Sequence, residues 1–272
     1  MNMSVDKENM LEVLRNFPLQ CRESLGLARG LSVGGKISNI VIAGMGGSAI
    51  GGDLLKAVLK DAGIPVHVNR DYKVPSYVDE NSLVFCVSYS GNTEETLSSY
   101  FDAFEKKAKI IAITTGGKLA EECEKVVEIP AGLQPRAAIG YLFFPMLGIL
   151  HNSKIVSIKN SDLNEMFDIL KDVDDFMEDA QSFAKKLDDK IPIIYSSETL
   201  APVAMRWKTQ INENAKLPAF WNVFSEMNHN EIAAFRGMDT NYKVIIIRDK
   251  FDNGRIKKRM DICKKIMEET VR

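Results

Sequence analysis

Two stretches of this chain run from an unbroken apolar segment into a turn of glycines and hydroxyls and then into a helical pattern. This repeated strand, turn and helix constrains the fold more than any other feature. The first is Asn39-Ile40-Val41-Ile42-Ala43 followed by Gly44-Met45-Gly46-Gly47-Ser48-Ala49-Ile50-Gly51-Gly52-Asp53. The second is Leu83 to Val87 followed by Ser88-Tyr89-Ser90-Gly91-Asn92-Thr93-Glu94-Glu95-Thr96. Short apolar runs without alternation suit strands buried on both faces, and so predict a parallel sheet covered by helices. Each turn then sets the unpaired N–H groups and partial positive charge of a helix start at the end of a strand. Ser88, Ser90 and Thr93 add hydroxyl donors to the second turn; in the first, Gly47 permits close backbone approach and Ser48 adds a hydroxyl. Together they predict a cradle for a dianionic phosphate that needs neither Lys nor Arg. The plain alternative is a pair of ordinary capped turns, since Ser, Gly, Asn and Thr are common there.

The glycine run superficially matches a dinucleotide-binding fingerprint. That reading fails on two counts: Ala49 fills the third glycine position only under a loose alignment, and Arg70 stands where an acidic ribose ligand belongs.

The remaining pattern is a double one. A helical segment over about Lys7 to Leu27 precedes strands near 39–43, 64–68, 83–87, 110–114 and 126–129, alternating with helices. Leu163, Met166, Phe167, Leu170, Val173, Phe176, Met177, Ala180, Phe183, Ala184 and Leu187 recur at helical spacing and predict one long amphipathic connecting helix. A second unit opens with Ile191-Pro192-Ile193-Ile194-Tyr195. It turns at Ser196-Ser197-Glu198-Thr199, enters a helix through Met205, Trp207 and Ile211, and adds a buried strand over Lys243 to Arg248. The expected class is α/β, with an N-terminal unit over 1–153, a connecting helix over 154–190 and a C-terminal unit over 191–272.

Four segments in order, GMGGSAIGGD (44–53), SYSGNTEET (88–96), QPRAAIGY (134–141) and NENAKLPAFWNVFSEMNHNE (212–231), closely resemble the bifunctional phosphoglucose/phosphomannose isomerases of the sugar isomerase (SIS) superfamily. The resemblance covers nearly the whole chain. It implies two SIS-type subdomains, each a parallel sheet sandwiched by helices, with a sugar phosphate in the cleft between them. It implies substrate phosphate on Gly47, Ser48, Ser88, Ser90 and Thr93. Glu213 matches the base that moves a proton between neighbouring carbons through a cis-enediol, a task that suits one carboxylate. His229 matches the residue that opens the sugar ring, reaching the site from the neighbouring subunit of a homodimer; an imidazole near neutrality suits that shuttle. Arg136 matches the arginine that stabilises the developing enediol charge. Taken alone, Glu213 reads as a solvated helix-end glutamate and Arg136 as an exposed helix-start arginine. Family members continue past the position matching Arg272, so the resemblance implies a shortened C-terminal subdomain and puts dual specificity for the glucose and mannose epimers most at risk.

Composition narrows the alternatives. With 35 basic and 37 acidic residues the net charge is −2, which gives no electrostatic case for nucleic acid or an anionic membrane. The basic tail residues Lys257, Lys258, Arg259, Lys264 and Lys265 alternate with Met260, Cys263, Ile266 and Met267 as the solvated face of an amphipathic helix. Cys21, Cys86, Cys123 and Cys263 are scattered without a ligand pair, which predicts reduced thiols and a cytoplasmic protein. The N-terminal residues lack the order of a signal peptide, and no window approaches 18 uninterrupted apolar residues. His67, His151 and His229 form no metal-ligand pattern, so no metal or other cofactor is expected. Two other classes stay open: a phosphosugar-binding regulator without catalysis, and an amino-sugar synthase domain, which would need an amide-donating partner not visible in this sequence.

Overall fold

The computed structural model describes residues 6–237 and 241–270. Met1 to Val5, read above for targeting signals, and Val271 and Arg272 at the tail lie outside the described residues. The chain divides into two compact units after Phe176.

The first unit opens with helices α1 (Met10–Arg15) and α2 (Phe17–Leu27). Sequence periodicity predicts one helix here. Pro18 in the first turn of α2 has no N–H to give and would clash with a preceding helical turn, so the helix restarts at Asn16. Strand β1 (Asn39–Ala43), helix α3 (Gly46–Val58), β2 (Val66–Asn69), β3 (Ser82–Val87), α4 (Glu94–Glu105), β4 (Lys109–Thr114), α5 (Gly117–Glu122) and β5 (Val126–Glu128) follow. A 3₁₀ turn (Pro135–Ala137), α6 (Ile139–Asn152), α7 (Asn160–Leu170) and a second 3₁₀ turn (Val173–Phe176) complete the unit.

The strands form a parallel five-stranded sheet in the order β2-β1-β3-β4-β5. Every residue of β1 and β3 is buried, because successive side chains feed two different cores. Ile40, Ile42, Leu83, Phe85, Val87, Ile111 and Ile113 pack on one face, beside α6 residues such as Leu142 and Met146. Val41, Ala43, Val84, Cys86 and Ala112 pack on the other with Tyr100 and Ala103 of α4. Helix α6 is apolar nearly all round and almost wholly buried, as expected of a helix enclosed on every side.

The second unit contains α8 (Met177–Lys185), β6 (Ile191–Ser196), a 3₁₀ turn (Glu198–Leu200), α9 (Ala201–Gln210) and a π-helical turn (Ile211–Ala215). It continues with β7 (Phe220–Val223), α10 (Phe224–Met227), a 3₁₀ helix (Glu231–Gly237), β8 (Tyr242–Ile246) and α11 (Gly254–Thr270). Its parallel sheet has the order β7-β6-β8, which repeats the β2-β1-β3 arrangement of the first unit. Ile193 and Tyr195 point to a core with Phe224, Met227, Phe235 and Met260; Ile194 points to another with Ala204 and Ile245.

The long connecting helix expected across 154–190 is not formed. Helix α7 ends at Leu170, and α8 begins beyond a 3₁₀ turn at Met177. Asp172, Asp174 and Asp175 are poor helix-interior residues because their short side chains compete for backbone groups. Arg15 also draws Asp174 out of register, its Nε and Nη2 donating to Oδ1 at 3.2 and 3.0 Å.

Helix α3 packs against both β1 and α6, with Gly52 facing Ile42 and Gly51 facing Leu142, and Gly51 makes the second approach possible. A Cβ there would lie 2.5 Å from the Leu142 carbonyl oxygen. Gly51→Ala is therefore expected to destabilise the fold by about 1–3 kcal/mol through overpacking. A thermal midpoint equal to that of the unsubstituted chain would show that α3 and α6 separate freely.

Candidate active site

The two turns predicted from sequence lie side by side. Strands β1 and β3 pair in parallel, with Ala43 opposite Cys86, so both chains leave the sheet at the same end. The strand order reverses between them: β1 leads to β2 on one side, and the chain then crosses to β3 on the other. This is a topological switch point, where α/β sheets open a crevice. The Tyr89 N–H donates to Ser48 Oγ at 3.2 Å and joins the turns directly.

The β3–α4 turn is internally braced. Ser88 is buried, shares a 2.9 Å hydrogen bond with Thr93 Oγ1, and accepts from the Gly91 N–H at 3.1 Å. Ser90 is exposed, and its Oγ accepts from the Asn92 N–H at 3.2 Å. Asn92 Oδ1 accepts from the Lys118 N–H at 3.0 Å, and the Gly91 carbonyl accepts from Leu119 N–H at 2.9 Å, so the turn rests on the start of α5. Gly91 has φ +69°, and a side chain there would overlap the Gly116 carbonyl. Only glycine fits both the angle and the space.

Hydrogen-bond bookkeeping shows what is left for a ligand. Ser48 and Ser90 act as acceptors in these bonds, and Ser88 and Thr93 share one proton between them. Three of the four hydroxyl protons are therefore uncommitted among the described residues. Neither α3 nor α4 has a side-chain cap on its first turn, which leaves backbone N–H groups directed at the same crevice. Glu94 and Glu95 also occupy the first turn of α4. Their charge raises the pKa of nearby Tyr72.

Arg136 is brought to the same place. A Cβ on Gly47 would lie 2.9 Å from the Pro135 carbonyl oxygen and 3.3 Å from the Arg136 Cα, so the 3₁₀ turn packs on the glycine turn. Gln20, buried on α2, fixes that segment by donating to the Ala137 carbonyl at 3.1 Å and accepting from the Gly140 N–H at 2.7 Å. Arg136 itself has only 13% of its side chain exposed and pairs with Glu8 at 3.0 Å and Gln134 at 3.2 Å. Tyr89 was not singled out from sequence, yet it spans the assembly. Its hydroxyl donates to the Pro130 carbonyl at 3.0 Å and accepts from the Leu133 N–H at 2.8 Å. Arg70, where a dinucleotide site would need an acid, pairs with Asp53 of α3.

Glu213 and His229 belong to the second unit. Glu213 lies on the π-turn and is exposed; burial pulls the pKa of Arg206 on α9 down, and the Glu213 charge opposes that shift. His229 is also exposed, in the loop after α10, with its N–H donating to the Glu226 carbonyl at 2.9 Å. Two residues on, the Glu231 carboxylate accepts from the Tyr195 hydroxyl at 2.7 Å and from Asn222. Burial, reinforced by Glu231, pushes the Tyr195 pKa up and keeps it a donor. Of the other histidines, His67 lies edge-on to Tyr77, and His151 Nδ1 accepts from the Ile158 N–H. The four cysteines are free and buried; burial pushes Cys21 up to about 12 and Cys86 higher, so neither is a nucleophile near neutrality. Among the described residues no cluster of three or more His, Cys, Asp or Glu could hold a metal, and no helix is long and apolar enough to cross a membrane.

Comparison with known proteins gives this geometry a lineage. Residues 36–147 match the SIS domain, and residues 176–272 match the bacterial phospho-glucose isomerase C-terminal SIS domain. A bifunctional phosphoglucose/phosphomannose isomerase of Caldicellulosiruptor bescii is 44% identical, with 96% of this chain and 83% of that protein aligned. The chain belongs to the bifunctional phosphoglucose/phosphomannose isomerase family. A D-glucosamine-6-phosphate 4-epimerase of Sulfolobus acidocaldarius is 38% identical over 79% of this chain and 70% of its own length. Among solved structures, the C-terminal domain of glucosamine-fructose-6-phosphate aminotransferase from Francisella tularensis superposes with a TM-score of 0.72, covering 99% of this chain and 83% of that one. At 16% identity that likeness speaks for the fold alone.

Ser90→Ala and Thr93→Val each remove a donor that a bound phosphate would use. The expected loss in sugar-phosphate affinity is roughly 1.5–3 kcal/mol per substitution, as for charge-assisted bonds. Titration calorimetry showing unchanged affinity in both variants would place the phosphate elsewhere.

Proposed function

We propose that this protein interconverts glucose-6-phosphate, and also mannose-6-phosphate, with fructose-6-phosphate, without a metal ion or other cofactor. The observation that carries this reading is the convergence of two hydroxyl-bearing turns and the Arg136 segment at one switch point, in a chain 44% identical to a bifunctional isomerase. Gly47, Ser48, Ser88, Ser90 and Thr93 form the phosphate grip. Ser88 serves chiefly by orienting Thr93 and Gly91, since its own hydroxyl is buried.

With the phosphate held, the reaction reduces to moving one proton between adjacent carbons and one between the two oxygens that they carry. In this reading Glu213 removes the proton next to the carbonyl and returns it to the neighbouring carbon, through a cis-enediol. Holding the substrate in register makes that transfer effectively intramolecular. Arg136 stabilises the negative charge that builds on the enediol oxygens. His229 passes a proton to the ring oxygen during opening, and its exposure suits a residue that serves the site of a second subunit in a homodimer.

The epimerase relative favours one competing reading. Both substrates carry a 6-phosphate, so the phosphate turns alone do not discriminate between them. Fructose-6-phosphate and glucosamine-6-phosphate should therefore be offered separately, in the presence of chelator. Glucose-6-phosphate and mannose-6-phosphate are expected from the first, with no C4 epimer from the second. The reverse outcome would replace isomerisation with epimerisation, and loss of turnover in chelator would remove the metal-free mechanism.

Glu213→Gln keeps the shape of the side chain and removes the base. Turnover is expected to fall by at least ~10²-fold, with little change in phosphate-ligand affinity and loss of hydrogen exchange between substrate and solvent. Near-normal turnover would refute the assignment. Mixing Glu213→Gln with His229→Ala chains should restore part of the activity, because one site of a mixed dimer then holds both groups. Mixed dimers without activity would show that His229 acts within its own chain.

A further inference from the structure

We propose that the π-turn Ile211–Ala215 is a positioning device for Glu213, held in shape by Lys216 and Asn212. This rests on the reading of Glu213 as the base. Helix α9 runs into the turn without a break: Gln210 and Ile211 keep right-handed helical angles, at φ −63° for both. Widening the helix by one residue puts the side chains beyond the turn out of phase with a continued α-helix by about 100°, and those within it by part of that angle. Glu213, at the middle of the widened segment, therefore points where an α-helix of the same sequence would not aim it.

A π-turn is uncommon and needs to be held. The chain leaves it through Lys216 at φ 58° and ψ 29°, a left-handed conformation that glycine adopts freely and lysine does not. What lysine adds is its ammonium: Lys216 Nζ donates to the Glu213 carbonyl at 2.6 Å, a charge-assisted bond to one of the acceptors that a helix end leaves unpaired. Asn212, on the other flank, reaches over the exit, its Nδ2 donating to the Leu217 carbonyl at 2.7 Å. Asn214 Nδ2 donates to Gln210 Oε1 at 2.8 Å and adds a side-chain tie one turn back. The backbone from Glu213 to Leu217 is thus tied down by the side chains of Lys216 and Asn212, and a side-chain bond from Asn214 to Gln210 braces the turn before it. An ordinary helix end would need only the left-handed exit, for which glycine is the better residue.

Lys216→Gly separates the two roles, because it relieves the backbone and removes the ammonium. With fructose-6-phosphate as substrate, kcat is expected to fall at least tenfold and KM to change less than twofold, while the melting temperature holds or rises. Lys216→Arg should recover most of kcat, and Asn212→Ala should reproduce the fall. Wild-type kcat in Lys216→Gly overturns the inference, as does a loss carried by KM alone. Glu213→Gln in the same assay keeps the two readings apart: if it retains turnover, the base assignment fails. If it is inactive while Lys216→Gly is fully active, only the positioning role fails.

Discussion

The parallel pairing of β1 with β3 is the constraint on which the first unit's site depends. Taken singly, each of the turns that follow these strands is a capped helix start of a kind found in many proteins. Paired in register, the strands release both chains at one edge of the sheet, where the divergence of β2 from β3 leaves room above the strand ends. The Tyr89-to-Ser48 hydrogen bond then fixes the separation of the turns, and the Gly47 surface admits the Arg136 segment against them. Donors that would be worth little on separate loops thereby face one volume. In the proposed reading, preorganisation of this kind is what would let neutral hydroxyls and backbone N–H groups hold a dianion, since they would not have to be ordered at the moment of binding.

Arg136 shows how such a site can hold a strong charge without wasting it. Its side chain is largely enclosed, but its partner Glu8 is 53% exposed. An ion pair with one member in water contributes at most about 1 kcal/mol, because solvent competes for both charges. Glu8 therefore supplies only a weak counter-charge to the guanidinium, which Gln134 also contacts. In the role proposed for Arg136, an enediolate enclosed with the guanidinium away from water would be the better partner. The Gln20 clamp on Ala137 and Gly140 keeps the backbone in place whichever partner is bound.

Much of this was legible in the sequence. Apolar runs flanked by glycine and hydroxyl turns marked β1, β3, β4 and β6, because strands buried on both faces carry a strong local signal. Ser48, Ser88, Ser90 and Thr93 were marked by the same local chemistry. The rest depends on interactions without local spacing. The Arg15–Asp174 pair helps divide the expected connecting helix, and its two residues lie far apart in the chain. Glu8 is likewise remote in sequence from Arg136, and nothing local to Tyr89 marks its hydroxyl as the bridge between Pro130 and Leu133. Strand β7 is short and sits at a sheet edge, with Phe220 exposed, so its pattern was too weak to separate from the loop after Pro218. The π-turn is invisible to periodicity: one inserted residue near the end of a helix leaves too few positions to show a change of phase.

The two units repeat the order of three strands, and the proposed reading places their chemistry at opposite ends of the helix that follows the central one. In the first unit, the start of α3 carries glycines and Ser48, and the crevice receives backbone donors. In the second, the matching turn keeps the hydroxyls of Ser196, Ser197 and Thr199 but sets Glu198 at the helix start. Ser196 donates to the Ser197 carbonyl, and Ser197 Oγ is buried without a partner among the described residues. A carboxylate at that point takes up the favourable field of the helix start, as Glu94 and Glu95 do at the start of α4. The far end of α9 holds the exposed carboxylate of Glu213 instead, on the widened turn that Asn212 and Lys216 tie down. One architecture thus supplies two devices: a strand-end turn rich in donors, and a helix-end turn that presents an acceptor.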